Sequence, residues 1–214
     1  MPTKTWDFPE VSVDYTASQR AEIEKLERDI KVQLRAKPHR LQHSLSVAKT
    51  AEYMATLYGV DPYPARVAGI LHDWDKALTP GELIERATEQ KVDLGVPLTK
   101  VVPLLHGIVA ENDLRVRYPE LTQAELQAVG RHTIGASDMT PLDMIIFTAD
   151  GIEPYRTAHP DIQHIREMVG KVTLPDLYWT SFTGGIVYVV RTGRYLYPGT
   201  VTIYNEMMEQ RNQP

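Results

Sequence analysis

The chain has 214 residues, 43% of them hydrophobic, a net charge of −5 and no cysteine. That length suits one domain with a self-sufficient core, and the missing thiols exclude disulfides, Cys-ligated zinc and iron–sulfur clusters, so any metal must be held by His and carboxylate. The acidic balance disfavours nucleic acid as a partner, no run of about 18 apolar residues offers a membrane span, and residues 1–7 lack the apolar run of a secretory leader, so a cytoplasmic protein is expected.

Residues 1–17 mix Pro, aromatic and polar side chains without a period and read as an extended or flexible lead-in. From Ser18 the spacing of Ile23, Leu26, Ile30 and Leu34 predicts a helix, giving an N-terminal helical segment over 18–38. Pro38 either stops it or starts the next helix, which runs to about Tyr58 on a stripe of Leu41, Leu45, Ala48, Ala51 and Met54. Asp61-Pro62 opens a short helix ending near His72-Asp73. Thr79-Pro80 has the form of an N-cap followed by a first-turn proline. Further helices are predicted around Val101, Leu104, Leu105 and Ile108, after the Thr122/Glu125 capping pattern, from Pro141 through Ala149, and around Ile162, Ile165 and Met168. The Val-rich stretch 186–190 is ambiguous between strand and helix. It is read as a long last helix, whose Tyr and Val side chains make it a candidate homodimer interface, followed by an irregular tail through Pro198 and a short end at 203–208. The expectation is an all-α, single-domain bundle with its functional body over 39–208.

Four of the seven histidines and two aspartates stand out: His43, His72-Asp73, His106, His132 and Asp150. Each falls on a predicted helix or at its end, far apart in sequence, as when several helices of a bundle aim ligands at one centre. His72-Asp73 follows the apolar run Ala68-Gly69-Ile70-Leu71, and Asp150 follows Ile145-Ile146-Phe147-Thr148-Ala149. A carboxylate placed against a core stripe is costly unless paired or metal-bound. Taken singly, a histidine near an apolar stripe is more often a core or surface residue than a ligand. His39, His159 and His164 are read as solvent-facing, Asp75 and Glu153 as solvated carboxylates or partners of ligands, and Trp74 as packing.

This pattern resembles the HD-domain metal-dependent phosphohydrolases, defined by His, then His-Asp, then a later Asp. The segments Arg40-Leu41-Gln42-His43-Ser44, Leu71-His72-Asp73-Trp74-Asp75-Lys76, Leu105-His106-Gly107, Arg131-His132-Thr133-Ile134-Gly135 and Thr148-Ala149-Asp150-Gly151-Ile152-Glu153-Pro154-Tyr155-Arg156 resemble in particular the YqeK-like bacterial branch, associated with symmetrical cleavage of diadenosine tetraphosphate to two ADP. Ile134 departs from the branch, which usually has a second Thr there, and the first 35 or so residues lie outside the resemblance.

The resemblance implies a helical-bundle hydrolase with a dinucleoside polyphosphate as substrate, a nucleoside diphosphate as product, and two divalent metal ions, iron above manganese, cobalt or zinc. The expected metal ligands are His43, His72, Asp73 and Asp150 for one ion and Asp73, His106 and His132 for the other. Asp73 and Lys76 are the expected catalytic residues, with Arg40, Lys76, Thr133 and Arg156 as candidate substrate contacts. Two ions sharing a water can lower its pKa and aim it at phosphorus. The competing readings are an HD-domain enzyme for a nucleoside monophosphate or deoxynucleoside triphosphate, and a regulatory module that binds nucleotide without turnover.

Overall fold

The computed structural model describes residues 3–212, so Met1 and Pro2 of the expected lead-in lie outside it. The described residues form ten α-helices and no strand: α1 Ala17–Gln33, α2 Pro38–Leu57, α3 Pro62–Leu71, α4 Pro80–Glu89, α5 Val102–Arg117, α6 Gln123–Arg131, α7 Pro141–Ile152, α8 Pro160–Met168, α9 Leu174–Arg191 and α10 Pro198–Arg211. Single-turn 3-10 helices at Trp74–Ala77 and Leu98–Lys100 join α3 to α4 and α4 to α5. No helix among the described residues is long and apolar enough to cross a membrane.

Local chemistry sets the boundaries. Pro38 starts α2, where its missing N–H costs nothing. Reciprocal capping boxes open α4 (Thr79 with Glu82), α6 (Thr122 with Glu125) and α7 (Thr140 with Asp143), each satisfying two backbone donors that the first turn leaves without an intrahelical partner. The same device at Thr16 with Gln19 begins α1 at Ala17, one residue before the periodic signal. The Val-rich stretch is helical, inside α9, whose outer face leaves Val187, Tyr188 and Val190 exposed. The C-terminal expectation was too short: Pro198 is the first residue of the 14-residue α10 rather than part of a tail. Only Met207 of α10 is buried, so the helix shows almost no apolar stripe for a periodicity argument to find.

The core is built where α1, α2, α3, α6 and α7 meet. Ile23, Leu26, Ile30 and Leu34 of the α1 region pack with Val47, Ala51 and Met54 of α2, Ile70 and Leu71 of α3 and Ile145, Ile146 and Ile152 of α7. Each fully buried aliphatic side chain contributes about 1.5–3 kcal/mol. The α2–α3 contact is closest at Gly69, where a Cβ would stand 2.6 Å from Ala48 Cα, closer than any real side chain sits. A glycine in α3 therefore lets the two backbones approach, which brings the C-terminus of α3, carrying His72, against the His43 turn of α2. α5 and α6 close the other side, with Leu105 and Val109 covered by Leu83 and Ala87 of α4.

Candidate metal centre

His43 projects from the second turn of α2, His72 caps α3 with Asp73 just beyond it, His106 lies in α5, His132 caps α6 and Asp150 lies in the last turn of α7. The fold gathers all six at one place. His43 Nε2 is 2.8 Å from Asp150 Oδ1 and 3.3 Å from His72 Nε2. His106 Nε2 is 3.0 Å from His132 Nε2 and 3.1 Å from Asp73 Oδ1. Donor atoms of His43, His72 and Asp150 all lie within 4.8 Å of one another, as do those of His72, Asp73 and His132, so His72 stands within reach of both groups.

The other ring nitrogens explain why the Nε2 atoms converge. His72 Nδ1–H donates to the Gly69 carbonyl at 2.8 Å, His106 Nδ1–H to Pro103 at 3.0 Å and His132 Nδ1–H to Val129 at 2.6 Å. In each case the acceptor is the carbonyl three residues earlier, on the ring's own helix or its first turn. His43 Nδ1 instead donates to Glu153 Oε1 at 3.1 Å. A proton held on Nδ1 leaves an unprotonated lone pair on the Nε2 of His72, His106 and His132, whereas His43 Nε2 faces the Asp150 carboxylate. The lone pairs of His106 and His132 facing each other at 3.0 Å repel, and with both rings at most 5% exposed water cannot relieve them. A cation between them removes the conflict. Donors bound to one transition-metal ion at about 2.0–2.2 Å stand roughly 3–4 Å apart, which is the spacing found. The residues fit a divalent metal site built from imidazole and carboxylate. Gly107 keeps the second pair close, because a Cβ there would lie 3.0 Å from His132 Cε1 and 3.0 Å from the Val129 carbonyl.

Burial lowers the pKa of His106 and of His132 to about 4, and lowers that of His72, so all three stay in the metal-binding neutral form at ordinary pH. Burial also disfavours charge on His43, but hydrogen bonds to Asp150 and Glu153 outweigh it and raise that pKa. Burial would push the Asp150 carboxyl up, but Arg156 foremost holds it well below the usual carboxylate range.

The candidate substrate contacts occupy different surroundings. Arg40 Nη1 donates to Asp73 Oδ2 at 3.2 Å. Arg156 donates through Nε to the Asp150 carbonyl at 2.8 Å and through Nη2 to its carboxylate. Lys76 sits in the 3-10 turn after Asp73; burial lowers its pKa while Asp73 opposes the shift. Thr133 Oγ1 donates to the Leu104 carbonyl at 2.8 Å, so its hydroxyl remains available only as an acceptor.

Of the two readings left open for Glu153 the structure selects the partner of a histidine, and Arg166 is a group the sequence reading missed. Glu153 is 1% exposed and orients His43. Its position one turn after Asp150 was the available signal. Arg166 is buried, donating to the carbonyls of Ile152 at 2.8 Å and Glu153 at 2.7 Å, and so fixes the end of α7. Nothing in its local sequence distinguishes it from a surface arginine of α8.

The HD domain family profile matches residues 40–155, which contain all six candidate metal ligands. The chain is 31% identical over 170 residues to the protein named symmetrical bis(5'-nucleosyl)-tetraphosphatase from Halalkalibacterium halodurans, covering 79% of this chain and 89% of that one. It is 34% identical over 194 residues to the protein of the same name from Staphylococcus aureus, covering 89% and 93%. An HD superfamily hydrolase from Clostridium acetobutylicum, described as involved in NAD metabolism, has a crystal structure that superposes with a TM-score of 0.78 at 29% identity, over 87% of this chain and 97% of that one. The metal-site geometry, the matched profile and relatives aligned over most of their length place this chain in the HD domain family of metal-dependent phosphohydrolases, in its YqeK-like branch.

Proposed function

We propose that the chain hydrolyses dinucleoside tetraphosphates, cleaving diadenosine tetraphosphate symmetrically into two ADP. The observation that supports this reading is the convergence of four histidine Nε2 atoms, three with Nδ1 held on a backbone carbonyl, and two carboxylates in one cluster, in a chain whose relatives carry that activity in their names.

His43, His72, Asp73 and Asp150 would hold one divalent ion and Asp73, His106 and His132 the other, with iron the metal that the resemblance favours. Asp73 suits the shared position: its Oδ1 lies toward His106, while its Oδ2 lies 3.8 Å from His43 Nε2 and takes a hydrogen bond from Arg40. Bound there, such ions would supply a water of lowered pKa and positive charge against phosphate oxygens. Arg40 and Arg156 flank the centre on opposite carboxylates, where their guanidiniums can pair with a polyphosphate chain. Lys76 adds a point charge from the Asp73 turn. The reaction consumes one water: its oxygen bonds to the second phosphorus from one nucleoside, the bond from that phosphorus to the central bridging oxygen breaks, and each half leaves as a diphosphate.

The test reloads purified protein with iron or manganese and follows diadenosine tetraphosphate by chromatography, beside Asp73→Ala. ADP as sole product from the wild type, with an inactive variant, is the expected result. AMP plus ATP would reject symmetrical attack, and bound metal with no turnover would reject this substrate. Full metal content and full rate in His106→Ala would reject the division of ligands between two ions.

A further inference from the structure

A cavity of about 490 Å³ opens beside the His106–His132 end of the centre. Its walls come from the start of α5, the turn after α6, α7, α9 and the segment leading into α10. Two of them abut residues that support the site histidines. Pro103, whose carbonyl accepts from His106 Nδ1, is a lining residue, and so are Leu104 and Thr133, which hydrogen-bond to each other next to His132. The interior is apolar and aromatic, with Ile134, Phe147, Phe182 and Val189, and the rim carries Lys100, Arg194 and Tyr195. Lys100 Nζ rests 5.5 Å from the centroid of the Tyr195 ring, which keeps a cation at the mouth.

Gly185 indicates that the space is kept open. It lies mid-helix in α9, where glycine destabilises relative to alanine. An added Cβ would meet nothing within 4 Å, so no close backbone approach requires a glycine there. A larger side chain would extend into the cavity that Gly185 lines. Ile134, the departure from the branch pattern, also faces this space and gives it a methyl-lined wall where a threonine would have offered a hydroxyl.

We propose that this cavity is the subsite for one nucleoside of the substrate. A purine base lies against the Phe147, Phe182 and Ile134 walls, and Lys100 and Arg194 meet the phosphates at the mouth. The volume falls within the ~300–1,000 Å³ typical of small-ligand sites. Flat aromatic and aliphatic walls beside a cationic rim and a metal site match a ligand with a π-face at one end and phosphates at the other. The proposal rests on the nucleotide reading above and adds where the base goes.

The experiment measures ADP and pyrophosphate binding to manganese-loaded protein by calorimetry, for wild type, Gly185→Leu and the exposed-position variant Tyr195→Ala. Gly185→Leu is expected to keep or raise the melting temperature, keep its metal by elemental analysis, and weaken ADP about tenfold or more, the scale of one lost base contact. Pyrophosphate, which has no base, binds as before, and Tyr195→Ala weakens ADP in the same sense by a smaller factor. Unchanged ADP affinity in both variants overturns the proposal. So does an equal loss for ADP and pyrophosphate, or wild type that binds ADP no better than pyrophosphate. Because binding is read apart from turnover, ADP affinity that responds to Gly185→Leu in a protein inactive on diadenosine tetraphosphate would uphold the subsite while rejecting the tetraphosphatase reading.

Discussion

The two ends of the histidine cluster are braced by different means. At the α5–α6 end, His106 and His132 are oriented by backbone carbonyls three residues earlier in their own chain segment. At the α2–α7 end, His43 is oriented by Glu153, 110 residues away, and Glu153 sits on a segment pinned by Arg166 of α8 and by Thr5 of the lead-in. A carbonyl brace is set wherever the local helix forms. A carboxylate brace depends on several distant segments folding together, and it changes the charge its histidine carries.

The largest expected consequence concerns the metal-free protein. The unfolded chain takes up histidine protons near pH 6.5, whereas folded His106 and His132 resist them down to about pH 4, chiefly because they are buried. Between those values the unfolded state binds more protons, so stability falls as pH drops from 6.5 toward 4. His72 is shifted in the same direction. His43 is shifted upward, so its contribution is present below pH 6.5 and is lost as pH rises through its folded value. Two buried carboxyls act the other way in this range: Asp75, raised by burial to about 7, and Glu125, also raised by burial. The three lowered histidines outnumber them, and a tenfold difference in proton affinity between the folded and unfolded chain is worth about 1.4 kcal/mol. Denaturant unfolding in chelator should therefore show a net loss of about 1.4 kcal/mol or more between pH 6.5 and 4, less steep in His106→Gln, whereas His43→Gln should alter the profile only above pH 6.5. A flat profile over that range would show that the α5–α6 end is not held neutral.

Next in size is the loss of the carboxylate brace. Glu153→Ala leaves His43 Nδ1 without its acceptor and should weaken metal binding by about 10–100-fold, the usual effect of removing a ligand's orienting partner. Competition with a chelator measures it, and wild-type affinity would mean that Glu153 does not set the His43 ring. At the opposite end, Gly107→Ala places a methyl 3.0 Å from the His132 ring and from the Val129 carbonyl. Overpacking of this kind costs about 1–3 kcal/mol, and here it should also lower metal occupancy. A variant with unchanged melting temperature and full metal content would show that His132 has room to move.

The same contrast explains what the sequence could disclose. His72-Asp73 stood out because it follows an apolar helical run, His106 and His132 because their segments resemble family motifs, and the braces of all three rings lie within the same few residues. Helix starts at Pro38, Thr79, Thr122 and Pro141 were legible because capping is local chemistry. The role of Glu153 was only half visible: its proximity to Asp150 could be seen, its partner on α2 could not. Arg166 was invisible, since a lone arginine in a polar helix is usually solvated and only tertiary packing buries this one. The cavity beside Thr133 depends on α9 and the start of α10, the two elements whose sequence patterns were least decisive.

The lead-in offers the smallest effect and the sharpest test of long-range bracing. Thr5 donates through its backbone N–H to the Pro154 carbonyl at 2.7 Å and through Oγ1 to the carbonyls of Pro154 and Arg156, at 3.0 and 2.7 Å. The Trp6 ring lies 5.5 Å from the Arg166 guanidinium carbon. These contacts reach the backbone of the loop that carries Glu153 and Arg156 without touching a metal-site residue. Thr5→Ala removes the hydroxyl bonds but keeps the backbone one, and a net side-chain hydrogen bond is worth about 0.5–1.5 kcal/mol. If the lead-in only covers the core, that loss should appear in the melting temperature alone. If it positions the α2–α7 end, metal affinity should fall severalfold as well, and the loss should disappear in a Glu153→Ala background, where the brace it supports is already gone. Additive losses in the double variant would separate the lead-in from the metal centre.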